Sequence, residues 1–181
     1  MLLLMDLDEV FADFGGGALQ VHGWTREQFV NKHPLGVWDM CQTLGVTEDE
    51  FWEPIHNAGA QFWEELDPLP WFQGLLDWVN RLGMEWYLVS SPSRDPSSYV
   101  GKLNWIAQYF GATFNKFILT QHKHLLARRD TLLVDDKEDN IEKFRKYGGL
   151  SVLFPSVGNF LHKYKDDPVS YLAALEQDLA K

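Results

Sequence analysis

Cysteine is nearly absent: Cys41 is the single thiol in 181 residues. One thiol cannot close an intramolecular disulfide or supply a cysteine-rich zinc site, and it fits a reducing compartment. Cys41 reads as a small hydrophobe. Long apolar runs are missing too, since no stretch approaches the ~20 apolar residues that a bilayer-spanning helix needs. No membrane association is therefore expected. The start of the chain has no basic region and its apolar stretch is cut by Asp6, so a secretory signal is not expected and the location read from the sequence is cytoplasmic. Positive charge is scarce, with 16 Lys and Arg against 26 acids and a net charge of −10. Without a basic stripe the chain is poorly suited to a nucleic acid polymer. A small phosphorylated ligand, held by a few local cations and a metal, stays compatible with that balance. Repeats and low-complexity tracts are absent as well.

What is present is an ordinary globular composition, 45% hydrophobic and 23% charged, of a size for one domain with a smaller insertion. Eight Trp, twelve Phe and six Tyr make a high aromatic content, much of it for the core and some of it suited to lining a pocket for a flat ligand. Leu2, Leu3, Leu4 and Met5 read as a buried strand that runs directly into Asp6 and Asp8. Two carboxylates at the end of a core strand are costly unless a cation or a reaction uses them.

Helical spacing follows from Val10 to about His22, interrupted by Gly15, Gly16 and Gly17. Three glycines are poor for a helix; they suit a close approach of backbone to a ligand or another helix, or a hinge leading out of the first domain. From Thr25 to about Leu66 the pattern is helical and aromatic, with capping-box signals at Thr25/Gln28 and Thr47/Glu50. Asp67-Pro68-Leu69-Pro70 ends that segment. Helices and strands then alternate: helix over 71–82, strand over 84–89, helix over 97–110 and strand over 116–119. A strand over 131–134, helix over 138–147, strand over 150–154 and helix over 169–179 complete the order. Such alternation implies an α/β fold with a mainly parallel sheet.

Polar residues stand at the ends of these strands in a fixed order: Asp6 with Asp8, Ser90 with Ser91, Lys123 in the loop after Leu119, and Asp135 with Asp136. This set resembles the four motifs of the haloacid dehalogenase (HAD) superfamily of phosphotransferases, across nearly the whole chain. It is more closely similar to the 5'(3')-deoxyribonucleotidases. The shared stretches are Asp6-x-Asp8-x-Val10-x-Ala12-Asp13-Phe14-x-Gly16-Gly17, Glu65-Leu66-Asp67-Pro68-Leu69-Pro70, Ser91-Pro92, Leu119-Thr120-x-x-Lys123, and Leu132-Leu133-Val134-Asp135-Asp136. The resemblance implies a HAD-like Rossmannoid core over 1–14 and 71–181, with a helical cap inserted after the first strand over 15–70. It also implies hydrolysis of deoxyribonucleoside monophosphates, and a homodimer.

Under that resemblance Asp6 is the nucleophile that forms an aspartyl-phosphate, and Asp8 is the acid and base. Ser90 and Lys123 hold the phosphoryl oxygens. Mg2+ is held by Asp6, Asp136 and a backbone carbonyl near Asp8, with Asp135 in support. Phe14, Trp38 and Trp63 are the aromatic residues expected around the base, and Ser91 is expected beside the substrate. Glu9 stands where the family usually has Gly, Ser90 where close relatives have Thr, and the linker from Lys123 to Asp135 is slightly longer. His122 and His124 read as surface histidines. The alternatives are a HAD phosphatase for another small metabolite such as a sugar phosphate, and a nucleotide-binding protein that has kept the scaffold without the chemistry.

Overall fold

The computed structural model describes residues 1–179. The last two residues of the expected core segment, 180 and 181, lie outside the described residues. Strand β1 (Leu2–Met5) is followed by helices α1 (Phe14–Val21), α2 (Arg26–Val30), α3 (Cys41–Leu44), α4 (Glu48–Ala58) and α5 (Ala60–Glu64). Helix α6 (Phe72–Arg81), β2 (Glu85–Ser90), α7 (Ser97–Phe110), β3 (Phe117–Leu119), β4 (Thr131–Asp135), α8 (Glu138–Lys146), β5 (Leu150–Leu153) and α9 (Pro168–Leu179) come next. A 3₁₀ turn spans Lys123–Leu126 and another His162–Tyr164.

The five strands form one parallel sheet in the order β3-β2-β1-β4-β5. β1 lies at its centre because both of its faces are apolar. Leu3 and Met5 enter the larger core with Phe11, Trp78 and Trp105, while Leu4 enters the smaller one with Val89, Leu133 and Phe144. The register is flush, with Met5 opposite Leu88 on one side and Val134 on the other. The residues after Met5, Leu88 and Val134 therefore emerge together at the carboxyl edge, beside the point where the strand order reverses. In open α/β sheets that crevice is where ligands bind.

The first helical stretch starts later than its apolar spacing suggests, at Phe14 rather than Val10. Leu7 takes the intervening residues into a tight loop, its carbonyl accepting from Phe11 N at 2.8 Å and Ala12 N at 2.9 Å. The three glycines are inside α1, not at a hinge. Asp13 caps the helix by accepting from Gly16 N at 2.7 Å, and a Cβ on Gly17 would lie 2.4 Å from Leu66 Cδ2. Close approach thus explains the glycine there. Both capping boxes form as expected, at Thr25 and Thr47.

The chain leaves the sheet and returns to it along one path. Asp13 N donates to Asp67 O and Leu69 N to Phe11 O, each at 2.8 Å. Trp71 and Trp105 seal this crossing with indole bonds to Val10 O at 2.9 Å and Leu66 O at 2.7 Å. On the far side α5 presses against α7: a Cβ on Gly101 would sit 2.3 Å from Ala60 O and 2.6 Å from Trp63 Cβ. Because a backbone oxygen cannot swing aside, Gly101→Ala is expected to cost about 2 kcal/mol. The corresponding fall in Tm is roughly 4–8 °C, read by thermal denaturation.

Candidate active site

Asp6 is the first residue beyond β1 and is 5% exposed. Its backbone N–H continues the sheet ladder to Val134 O at 2.9 Å, which holds the side chain beside the end of β4. Asp6 Oδ1 accepts from Leu7 N at 2.7 Å and lies 2.6 Å from Lys123 Nζ. Lys123 is buried and also donates to Asp135 Oδ2 at 2.7 Å, while His122 beside it is exposed as expected. Asp135 is further occupied, by Lys137 N at 2.9 Å and by Asn140 Nδ2 at 3.0 Å from both oxygens.

Asp136 is held differently. Asn159 Nδ2 donates to its backbone carbonyl at 2.8 Å, yet its own carboxylate Oδ2 is buried with no hydrogen-bond partner. An orphaned buried carboxylate oxygen is expensive. Asp6, Asp135 and Asp136 offer oxygens that all lie within 4.8 Å of one another. Against three carboxylates stands one ammonium, Lys123. The excess of negative charge, the hard oxygen donors and the unpartnered Asp136 Oδ2 all fit a divalent cation. Asp6 and Asp136 are the ligands with capacity to spare, while Asp135 spends its oxygens on Lys123, Lys137 and Asn140.

The same crowding sets the protonation behaviour. Burial, and then the Asp135 charge, push the Asp6 carboxyl from 3.8 up to about 7 despite the opposing pull of Lys123. Burial, Asp135 and Asp6 hold Asp136 well above the usual carboxylate range. Burial works against the Lys123 charge, but Asp135 and Asp6 more than offset it and raise the ammonium above its ordinary value.

Asp8 faces the other way. Its carboxylate is gripped by Lys102 Nζ, at 2.6 Å to Oδ1 and in contact with Oδ2, and accepts from Ser90 Oγ at 3.3 Å. The Asp8 side chain is thus outside the carboxylate cluster, on the side of β2. Ser91 Oγ donates instead to Thr120 O at 3.2 Å, tying β2 to the loop after β3. Between Asp8 and α1, Glu9 adopts the left-handed conformation with φ of 58°. That conformation costs a non-glycine residue roughly 1–2 kcal/mol. Two bonds hold it: Glu9 N donates to Ala12 O at 2.8 Å, and Oε1 accepts from Gly15 N at 2.5 Å. Its carboxyl is raised to about 7, by burial first and by Asp13 next.

Of the aromatic candidates, Phe14 and Trp63 stack with centroids 5.5 Å apart, and Trp52 joins Phe14 at 6.0 Å. Trp38 is elsewhere. It is 46% exposed, packs on Gly158 and lies under Lys137 Nζ at 5.3 Å, beside the Asp135-Asp136 turn rather than among the rings around Phe14. Lys102, Asn140 and Asn159 are the residues of the site that sequence reading missed. For Lys102 a signal was available: Ser98, Gly101, Lys102, Trp105 and Ile106 form one helical stripe, and all are buried.

The parallel sheet, with the acidic cluster at its carboxyl edge and the lysine bridging it, defines a HAD-like fold. Three solved structures share the fold. A predicted phosphatase from Clostridium acetobutylicum superposes with a TM-score of 0.58 at 14% identity, covering 99% of this chain and 97% of that one. A HAD family hydrolase from Deinococcus radiodurans R1, with bound phosphate and sodium, gives 0.57 at 13% identity over 97% and 95%. A haloacid dehalogenase-like hydrolase from Streptococcus pneumoniae gives 0.56 at 14% identity over 96% and 97%. No curated protein sequence matches the chain. The model of the family "5' nucleotidase, deoxy (Pyrimidine), cytosolic type C protein" matches residues 1–167, and the chain belongs to that family of phosphoric monoester hydrolases. Among the described residues no helix is long and apolar enough to cross a membrane.

The raised carboxyls have a direct consequence for stability. Between 3.8 and about 7, folded Asp6 keeps a proton that the unfolded chain has released, and Glu9 does so between 4.5 and about 7. Raising the pH through that window favours unfolding, and the effect levels off above it. Urea midpoints of metal-free protein, taken in chelator, are expected to fall from about pH 4 to about pH 7 and to fall less in Asp6→Asn.

Proposed function

We propose that this protein is a Mg2+-dependent 5'-nucleotidase acting on deoxyribonucleoside monophosphates through a phosphorylated Asp6. The convergence of Asp6, Asp8, Ser90, Lys123 and Asp136 on one sheet edge carries this reading, because a monoester needs each kind of group there. Asp6 Oδ attacks phosphorus in line with the leaving 5' oxygen and becomes the aspartyl-phosphate. Asp8 delivers a proton to that oxygen and later takes one from the water that hydrolyses the intermediate. The Ser90 hydroxyl and the Lys123 ammonium bond the phosphoryl oxygens, and Lys123 also fixes Asp6 for attack. Asp6 and Asp136, with a backbone carbonyl near Asp8, would hold Mg2+, which would supply charge neutralisation at the phosphoryl group. Asp135 keeps Lys123 in place.

Residues 15–70 act in this reading as a cap over a core formed by 1–14 and 71–181. Phe14 and Trp63 are assigned to the base, with Ser91 near the phosphate. Trp38 is assigned to the rim of the site through its packing beside the Asp135-Asp136 turn. The deoxynucleotide assignment is supported by the family description and by the aromatic cluster around Phe14. The working location is the cytoplasm, as in the cytosolic type of the family.

A panel of deoxynucleoside, ribonucleoside and sugar monophosphates tests the substrate. Nucleotides should be preferred, and equal turnover of base-free sugar phosphates would defeat the choice. Asp6→Asn is expected to lower kcat on the order of a thousandfold or more while the circular dichroism spectrum is kept. Chelation should abolish turnover and Mg2+ should restore it. Phe14→Ala is expected to raise KM for nucleotides about tenfold, with little change for ribose 5-phosphate.

A further inference from the structure

Lysine is rarely buried completely, yet Lys102 is 1% exposed on the inward face of α7. The close contact at Gly101 brings α5 down onto that face, and the Trp63 ring covers the ammonium with Nζ 4.3 Å from its centroid. On its other side the ammonium meets both oxygens of Asp8. The Ser90 hydroxyl reaches one of the same oxygens, Oδ2, at 3.3 Å. A hydroxyl from the end of β2 and an ammonium from α7 therefore converge on a single anionic oxygen. These are the donors that receive a phosphoryl oxygen.

Lys123 is already committed to Asp6 and Asp135, at 2.6 and 2.7 Å. The cation at hand on the Asp8 side, where the proposed mechanism places the leaving group, is Lys102 itself. Asp8 in turn has both oxygens taken by Lys102, so neither is available to that leaving oxygen until the ammonium lets go. One exchange of partners resolves both problems. We propose that Lys102 is a substrate-binding cation that rests on Asp8 and transfers to a phosphoryl oxygen when a phosphate monoester dianion arrives. The exchange breaks no covalent bond; the ammonium trades a carboxylate for a phosphate, and Asp8 is released toward the leaving oxygen. The proposal rests on the phosphatase reading above.

The two roles of Asp8, placeholder and competitor, make the test a double-mutant cycle. Inorganic phosphate is titrated by calorimetry, in Mg2+, into the wild type, Lys102→Met, Asp8→Asn and the double variant. Met keeps the length of the stem under Trp63. Lys102→Met is expected to bind phosphate about tenfold more weakly, of the order a charge-assisted hydrogen bond contributes. Asp8→Asn, which frees Lys102, is expected to bind it several-fold more tightly, and that gain should vanish in the double variant. If Lys102→Met fails to fold because the half-buried Asp8 has lost its cation, the double variant, which places a neutral pair there, still decides by comparison with Asp8→Asn. Unchanged affinity in Lys102→Met, or a gain from Asp8→Asn that persists without Lys102, would overturn the proposal while leaving the phosphatase reading intact. A wild type that binds no phosphate in Mg2+ would overturn both.

Discussion

Lys123 is the hinge of the charge balance at the end of β1. It is buried between Asp6 and Asp135, close enough to both to be bonded to each. Without it three carboxyls would share a dry space within 4.8 Å, where burial and mutual repulsion favour their protonated forms. With it the acids still outnumber the cation three to one, a set of oxygen donors that fits a divalent cation. Each further contact follows from this constraint. Asn140 and Lys137 N saturate Asp135 so that it stays on the lysine, and Asn159 holds the Asp136 backbone so that its carboxylate faces the shared space. The site is therefore built at a cost in stability.

A second charge pair repeats the theme on the opposite side of Asp6. Lys102 reaches Asp8 from α7 under the cover of Trp63, which also stacks on Phe14. The aromatic cluster and the carboxylate edge are thus joined through one side chain, and helix α5 is packed onto α7 at the same place by Gly101. Packing and chemistry are not separable here: the close contact of α5 and α7 is what keeps an ammonium in a place where water cannot reach it.

Much of this was legible beforehand. The strands showed as short apolar runs bounded by polar residues, and both capping boxes could be read from residue spacing because they depend only on neighbours within one turn. Asp6, Asp8, Ser90, Lys123 and Asp136 could be picked out because strand ends in an α/β sheet fall on one edge. Less could be seen where the outcome depends on distant contacts. The glycine run reads as a helix breaker by propensity, yet it lies within α1, and at Gly17 Leu66, about fifty residues on, leaves no room for a Cβ. Trp38 and Trp63 look alike in sequence; one sits in the open beside Lys137 and the other is buried on Phe14. Lys102 showed only as a charged residue in a buried stripe.

Taken alone, the order of residues determined the elements, their parallel arrangement and the acids and cations that end the strands. These follow from local preference and from the period of apolar residues, which act over a few residues at a time. Only the tertiary structure decided which charges pair. Lys123 takes Asp6 and Asp135, Lys102 takes Asp8, and Asp136 Oδ2 is left without a partner. Pairing among buried charges depends on distances of a few ångströms between groups up to 94 residues apart, and it is fixed by the flush register of β1 and the close packing of α5 on α7.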